Sequence, residues 1–274
     1  IALNNLKLRA SWGRLGNENA LGYYDFLALI STYNTKYQGY VKGNGDNAWA
    51  GSIARGLENR SLKWETTDTK NIGLDFGFFN NKLTGAMNYY YNQTEELLIT
   101  KALPPSAGLN NPILNVGKIR NSGVEVEINW ADSKGGFDYN IGMNFSTTKN
   151  KVVELADKGQ VLYGEGLKYG TEHFPTQTRV GKPIGAFYLY KTNGLFQSNE
   201  EARQYVNADG DEYQPFADAG DIRYVDVNGD GYIDDDDKVY CGSGIPTLEV
   251  NLNFSAGYKG FDLSVVLGLS LIHI

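Results

Sequence analysis

Oxygen-bearing side chains recur at regular intervals in a short acidic segment, residues 226–237. They belong to Asp226, Asn228, Asp230, Asp234 and Asp237. A calcium loop of about twelve residues presents oxygens at positions 1, 3, 5, 9 and 12, adds a backbone carbonyl at position 7, and needs glycine at position 6 for a sharp turn. Gly231 and Tyr232 occupy the sixth and seventh positions here. The spacing therefore predicts a Ca²⁺ site.

The chemistry of these ligands favours Ca²⁺ over the other common protein metals. Six or more flexible oxygens exceed what the tight octahedron of Mg²⁺ tolerates, and Zn²⁺ prefers His and Cys ligands. Asp237 departs from the usual pattern, because the twelfth position normally carries the longer, bidentate Glu. The competing interpretation is an acidic surface turn that binds no metal strongly. If Ca²⁺ binds, we expect a structural ion that makes the segment rigid ahead of a strand near Thr247.

The rest of the sequence offers no catalytic constellation. One cysteine, Cys241, and two histidines, His173 and His273, are too few for a multi-cysteine or His-based metal centre. The chain has no nucleophile elbow and no phosphate-cradling loop. It carries 25 Lys+Arg against 32 Asp+Glu, a net charge of -7. An acidic chain without a basic cluster in its sequence argues against nucleic-acid binding. We therefore expect a protein that is not an enzyme.

Apolar and polar residues alternate in several segments, which predicts β-strands with one apolar face. The apolar positions are Leu6, Leu8, Ala10 and Trp12; Ile72, Leu74, Phe76 and Phe78; Val124, Val126, Ile128 and Trp130; Tyr139, Ile141, Met143 and Phe145; Leu248, Val250, Leu252 and Phe254; and Leu263, Val265, Leu267 and Leu269. A less regular, tyrosine-rich strand runs from Lys82 to about Leu98. The sequence thus predicts an all-β fold.

Short and long connections between these strands alternate along the chain. Short turns are predicted at Asn80-Asn81, Ala131 to Gly136 and Lys259-Gly260, and long segments at 14–69, 99–114 and 150–246. Outer-membrane barrels have short periplasmic turns and long external loops. The alternation predicts an antiparallel up-and-down transmembrane β-barrel with long extracellular loops, of which residues 1–274 form one part. The calcium-loop-like segment, 220–240, is then an insertion within an extracellular loop.

The two faces of the predicted strands would meet different surroundings. In a barrel the apolar positions form an outward, convex band about 25 Å tall, and the polar positions line a wet lumen. In a barrel, aromatic residues near the short turns would lie at a membrane–water interface. The aromatic residues on either side of the predicted short turns are Phe78, Phe79, Trp130, Phe137, Tyr258 and Phe261. The alternative is a secreted, calcium-stabilised β-sandwich that binds carbohydrate, in which the apolar faces would meet a second sheet.

Several stretches, taken in order, resemble the C-terminal barrel region of the SusC/RagA family of TonB-linked outer-membrane proteins. They are 6–13 (LKLRASWG), 62–67 (LKWETT), 71–77 (NIGLDFG), 79–83 (FNNKL), 115–125 (NVGKIRNSGVE), 179–185 (RVGKPIG), 220–231 (GDIRYVDVNGDG) and 257–262 (GYKGFD). The resemblance covers nearly the whole chain, whereas residues 270–274 depart from the family pattern. Because the chain begins at Ile1 and not at Met, and resembles only the barrel region, we expect it to be an internal piece of a longer protein.

The resemblance implies a nutrient importer in the bacterial outer membrane, with a plugged barrel of about 22 strands. It also implies a SusD-like lipoprotein over the extracellular mouth, contact with outer-membrane lipid, and energy from TonB, which would contact a part of the protein outside this sequence. Family substrates are mainly oligosaccharides and also peptides. Sugars stack on aromatic rings, so candidate substrate contacts are Tyr33, Tyr37, Tyr40 and Trp49. The competing interpretation is that these rings pack the loops together.

Overall fold

The computed structural model describes residues 3–19, 21–28, 30–32, 52–54, 56–101, 103–164 and 174–272. The chain divides into two compact units. The first comprises Ile1–Gln160, Val180–Lys182 and Pro246–Leu271, and the second comprises Val161–Arg179, Pro183–Ile245 and Ile272–Ile274. Within the described ranges, no helix is long and apolar enough to cross a membrane.

The described elements are almost all strands. In chain order they are β1 (Leu3–Asn17), β2 (Ile30–Thr32), β3 (Ser52–Ala54), β4 (Glu65–Phe78), β5 (Leu83–Thr100), β6 (Ile113–Lys134), β7 (Phe137–Thr147), β8 (Lys149–Glu154), β9 (Leu162–Tyr163), β10 (Thr176–Thr178), β11 (Ala186–Tyr190), β12 (Thr192–Leu195), β13 (Ile222–Tyr224), β14 (Lys238–Ser243), β15 (Leu248–Tyr258) and β16 (Phe261–Leu271). The helices are α1 (Asn199–Gln204) and two single-turn 3₁₀ segments, Pro105–Ala107 and Asp235–Asp237.

A fully antiparallel sheet dominates the first unit. Its strands lie in the order β1-β4-β5-β6-β7-β15-β16, and β8 continues the line of β7 beside β6. Every strand predicted from the alternation pattern is present. The register brings the three short turns to one end of this sheet, because Phe78, Leu83 and Trp130 lie side by side there. The short turns thus lie at one end of the sheet, and the β1–β4 and β5–β6 connections at the other, as predicted. The same placement of the segment 150–246 stays a prediction.

The turn between β6 and β7 is shorter than the sequence predicts. The predicted turn from Ala131 to Gly136 shrinks to Gly135 and Gly136, because β6 continues to Lys134. Both glycines adopt positive φ, 60° and 79°. Two successive positive φ values give the twist that a two-residue hairpin needs, and glycine adopts them without steric strain.

The strands also extend beyond the predicted limits at the opposite end of the sheet. Residues 14–17 and 65–69 were expected in a long loop, yet they belong to β1 and β4. Polar cross-strand pairs explain the extension: the Arg14 guanidinium binds the Asp68 carboxylate at 2.8 Å, and Asn17 donates to Glu65 at 3.2 Å. Such pairs stabilise a sheet without apolar burial, so hydrophobic alternation alone does not mark these strand ends.

The second unit has its own small core. Its four-stranded sheet has the order β14-β11-β10-β9, and β12 pairs with β13. Phe196, Ala202 and Ala217 are buried together, and Tyr205 packs against them. Ser198 is the N-cap of helix α1, because its side chain accepts a hydrogen bond from the Glu201 N–H. Most of the segment 150–246, predicted as a long loop, is therefore folded.

Candidate functional site

One face of the large sheet is apolar across all of its main strands. Directly opposed residues in an antiparallel pair project to the same face. The successive partners across the sheet are Leu8, Leu74, Met87, Val126, Phe145, Val250 and Leu269. Rows on either side of this one repeat the pattern. The predicted single apolar face is confirmed, and its predicted convexity and height stay predictions.

This apolar face is exposed. Leu8 is 75% exposed, Ile72 58%, and Leu267 59%. In a β-sandwich these residues would be covered by a second sheet, whereas in a transmembrane barrel they would meet lipid. The exposed fractions therefore favour the barrel.

The aromatic residues around the short turns contact one another across strands. The ring centroids of Phe79 and Trp130 are 6.1 Å apart, and those of Phe137 and Tyr258 are 6.4 Å apart. Tilted contacts at this spacing are favourable for aromatic pairs. The rings thus form a row at one end of the apolar face, where a membrane–water interface would place them.

The opposite face of the sheet is polar and hydrogen-bonded. The Arg9 guanidinium donates to both carboxylate oxygens of Asp75, at 2.7 and 2.8 Å, and to the amide oxygen of Asn88 at 2.8 Å. A shallow cavity of about 280 Å³ lies on this face, with polar lining residues that include Asn88, Glu125, Glu127, Asn144, Glu249 and Asn251. Carboxylate and amide groups in this arrangement can exchange hydrogen bonds with a polar solute.

The acidic segment 226–237 folds into a closed loop held by its own carboxylates. Asp226 accepts from the N–H groups of Gly229 and Gly231, at 2.6 and 2.9 Å. Asn228 accepts from the Asp230 N–H, and Asp230 from the Tyr232 N–H, both at 2.9 Å. Burial opposes ionisation of Asp226, but the hydrogen bonds from Gly231 and Gly229 outweigh it and lower the pKa of this carboxyl below its usual value.

Asp237 closes the loop from its other end. Its carboxylate is fully buried. It accepts from the N–H groups of Val227, Asn228 and Asp234, at 2.7, 3.3 and 2.9 Å. The Asp234 side chain in turn caps the short 3₁₀ helix Asp235–Asp237. The first, third, fifth, ninth and twelfth positions of the motif are thus tied into one hydrogen-bonded unit.

The oxygen-only donor set of this loop is chemically suited to Ca²⁺. Both oxygens of Asp237, however, already accept backbone N–H groups. Among the residues that the structure describes, no three His, Cys, Asp or Glu side chains form a group that could hold a metal ion. The predicted ligand set, Asp226, Asn228, Asp230, Tyr232, Asp234 and Asp237, therefore stays a prediction.

Side chains from distant parts of the second unit support the acidic loop. The Tyr213 hydroxyl donates to Asp226 at 3.3 Å, the Asn207 amide to the Gly231 carbonyl at 3.0 Å, and the Tyr190 hydroxyl to Asp235 at 3.2 Å. Burial and the nearby Asp235 raise the pKa of Tyr190 to about 12. No periodic or motif signal in the sequence marks these residues, because they lie far from the acidic loop along the chain.

Other predicted site residues lie outside the described part of the chain. These are the loop aromatics Tyr33, Tyr37, Tyr40 and Trp49. Their role as substrate contacts or as loop packing stays a prediction.

Comparison with known proteins assigns the chain to a family. The family model described as "TonB dependent receptor-like, beta-barrel" matches residues 2–270. The chain belongs to the TonB-dependent receptor β-barrel family. The large sheet is accordingly a part of an outer-membrane β-barrel wall, and its exposed apolar face is the one that fits lipid.

Curated relatives of this TonB-dependent receptor chain carry the same family name. TonB-dependent receptor P3 of Formosa agariphila is 30% identical over 94% of this chain, and TonB-dependent receptor SusC of Bacteroides thetaiotaomicron is 29% identical over 98%. The chain covers 25% of the length of each. Relatives of this kind are receptors and transporters rather than enzymes, which agrees with the lack of a catalytic constellation in the sequence.

Solved structures share the fold of this TonB-dependent receptor chain. The structure titled RagAB peptide transporter matches with a TM-score of 0.70 and 21% identity, and covers 97% of this chain and 26% of that one. The RagAB peptide importer in its "closed-closed" state matches with a TM-score of 0.71 over 99% of this chain. These matches establish that the described sheet has the geometry of part of a receptor barrel.

Proposed function

We propose that this chain forms part of the barrel wall of an importer that takes up oligosaccharides or peptides. The observation that carries the proposal is the two-faced sheet, exposed and apolar on one side and hydrogen-bonded and polar on the other. A transmembrane barrel needs an outer face that tolerates lipid and a lumen that tolerates water and solutes. Energy would come from TonB, and a SusD-like lipoprotein would cover the extracellular mouth.

The two substrate classes rest on different grounds. Oligosaccharides are the main substrates that the resemblance to the SusC/RagA family implies, whereas the matching structure RagAB is titled a peptide transporter. The polar face supplies carboxylates and amides at Asn88, Glu125, Glu127 and Asn251. Such groups hydrogen-bond both to sugar hydroxyls and to peptide N–H groups. We place oligosaccharides first, as the larger substrate class implied by the resemblance.

Uptake by cells that express the full-length receptor tests this proposal. Fluorescently labelled oligosaccharides and oligopeptides of matched size are added, with and without TonB, and with and without the neighbouring lipoprotein. We expect receptor-dependent accumulation of one substrate class, lost without TonB and reduced without the lipoprotein. Accumulation of neither class, or accumulation that is independent of TonB, would overturn the proposal.

We further propose that Ca²⁺ binds the acidic loop and stabilises it. The support is the spacing of Asp226, Asn228 and Asp230, and the closed hydrogen-bonded loop that they form. Carboxylates held in one loop repel one another, so a cation would lower their mutual repulsion. The expected affinity is that of an extracellular module, with a dissociation constant on the order of 10⁻⁴–10⁻³ M.

Calorimetric titration of the full-length receptor with CaCl₂ tests the calcium proposal. We expect binding heat from the parent and its loss in an Asp226→Ala/Asp230→Ala double variant. A matched control, Asp209→Ala/Asp211→Ala, removes the same charge from two exposed residues outside the motif. Equal heats for the parent and both variants would mean that the motif is only an acidic turn.

A further inference from the structure

Charged residues form rows across the lipid-facing side of the sheet, just beyond the apolar band and at the end away from the short turns. In the central row the opposed residues are Arg14, Asp68, Gln93, Arg120 and Lys151. The row nearer the band contains Trp12, Lys70, Tyr91, Ser122 and Lys149. Opposed residues project to the same face, so these rows share the face of Ile72 and Val124.

Positive charge predominates in this region, although the whole chain has a net charge of -7. We call its cations the basic belt: Arg14, Lys70, Lys118, Arg120, Lys149 and Lys151. Only two of them form ion pairs within the described part of the chain, Arg14 with Asp68 at 2.8 Å and Lys118 with Glu95 at 2.9 Å. Lys70 and Arg120 instead lie over the Tyr91 ring, at 5.8 and 5.1 Å.

The centre of the basic belt combines like charges that form no ion pair with a described carboxylate. Arg120 lies directly opposite Lys151, and directly opposed like charges destabilise a sheet. Lys149 projects on the same side as Lys151, roughly 7 Å further along the strand. Both lysines are exposed. The Arg120 Nε is buried without a hydrogen-bond partner among the described residues. An anion placed here would relieve the repulsion.

We propose that the basic belt binds the phosphate of an anionic lipid headgroup in the outer leaflet. Arg and Lys donors suit phosphate oxygens, and long basic side chains at this depth reach up to the headgroup layer while their stems cover apolar surface. Trp12, 69% exposed, and Tyr91 mark the same level, because such rings favour the membrane–water interface. The proposal rests on the placement of the apolar face against lipid, not on the identity of the imported substrate.

The cations of the basic belt are far apart in the sequence, so the sequence alone does not indicate the belt. Its six cations come from β1, β4, β6 and β8, and only the sheet register gathers them. The sequence contains no basic cluster, whereas the folded chain presents one. A lipid phosphate fits this surface better than a free anion, because the belt borders the apolar band and a bound acyl chain can lie along that band.

Native mass spectrometry of the full-length receptor in non-ionic detergent tests the proposal. The probes are a diacylglycerol phosphate, a diacylglycerol with the same chains, and inorganic phosphate. The test variant is Lys149→Gln/Lys151→Gln, whose lysines make no described ion pair. The matched control, Lys7→Gln/Lys191→Gln, removes one exposed lysine from the polar face of the sheet and one from the second unit.

We expect the parent to retain the phosphorylated lipid and to bind neither of the other two probes comparably. Each basic residue near a membrane surface strengthens binding by about fivefold. The test variant should therefore bind the phosphorylated lipid roughly thirtyfold more weakly, and the control variant as tightly as the parent. Equal binding by parent and test variant, or inorganic phosphate bound as well as the lipid, would overturn the proposal. Substrate uptake by the test variant should be unchanged, which separates a failure here from a failure of the proposed transport function.

Discussion

Asp237 makes more backbone contacts than any other carboxylate of the acidic loop. Its fully buried side chain accepts from Val227, Asn228 and Asp234. A buried donor left without an acceptor costs about 1–3 kcal/mol. We expect Asp237→Ala to lower the local free energy of unfolding of the loop by roughly 3 kcal/mol or more, measured as faster hydrogen exchange in peptides that cover 222–240. Asp236→Ala, an exposed neighbour, should leave the exchange rates unchanged; equal effects of the two variants would contradict this role for Asp237.

Because of Tyr190, the local free energy of unfolding of the second unit should depend on pH in the alkaline range. The folded pKa of Tyr190, about 12, lies above its ordinary value of 10.0. The unfolded chain therefore loses this proton first as the pH rises, so the stabilisation by the neutral hydroxyl is complete below pH 10 and declines towards pH 12. We expect the local unfolding free energy to fall over this window in the parent and to fall less in Tyr190→Phe. The exposed Tyr232→Phe serves as control, and an identical pH profile for parent and Tyr190→Phe would refute the assignment.

At the scale of elements, neighbouring residues on one strand should differ sharply in their tolerance of charge. Leu252 and Asn253 are both exposed on β15, yet they project to opposite faces of the sheet. A basic residue on the lipid face costs about 2–4 kcal/mol near the bilayer midplane. We expect Leu252→Arg to reduce the yield of folded receptor in the outer membrane and Asn253→Arg to leave it near the parent level. Gel migration of unheated against heated samples measures the folded fraction, and equal yields would show that Leu252 does not meet lipid.

Hydrophobic alternation predicted where strands lie and which face is apolar, because each strand has a period of two and one lipid-facing side. It did not predict where β1 and β4 end, since Arg14 and Asp68 prolong the ladder with a charge pair. Nor did it predict the folded second unit. There the core depends on residues such as Phe196 and Ala217, which are brought together by turns and not by any periodic pattern.

For the acidic loop, too, the sequence predicted local features but not tertiary contacts. Its spacing predicted the sharp turn at Gly231, whose φ is 93°. The hydrogen bonds from Tyr213 and Asn207 to the loop depend on tertiary packing, which no local sequence pattern indicates. The basic belt is a further case, because its charges are far apart in the sequence and meet only through strand pairing.

For the whole molecule, the fold predicts which segments face the outside of the cell. Ser106 lies in the connection between β5 and β6, and Lys259 lies in the turn between β15 and β16, at the opposite end of the same sheet. In a Cys241→Ser background, we expect a membrane-impermeant maleimide to label Ser106→Cys on intact cells. Lys259→Cys should react only after the outer membrane is permeabilised. Labelling of Lys259→Cys on intact cells would reverse the assigned orientation.

The pairing of β7 with β15 carries a consequence for the order of assembly. Thr147 and Leu248 are opposed in the sheet, although they stand about a hundred residues apart in the chain. The hairpins β6–β7 and β15–β16 each close over only two residues. The entropic cost of closing a loop rises by about 0.6 kcal/mol for each doubling of loop length. The β7–β15 pairing closes the longest loop in the described sheet and is therefore the least favoured to form early. The described sheet therefore consists of two groups of strands, β1-β4-β5-β6-β7 and β15-β16, which are joined by the β7–β15 pairing. Collapse of the intervening second unit would shorten the span to be closed, so we expect its folding to favour formation of the β7–β15 pairing.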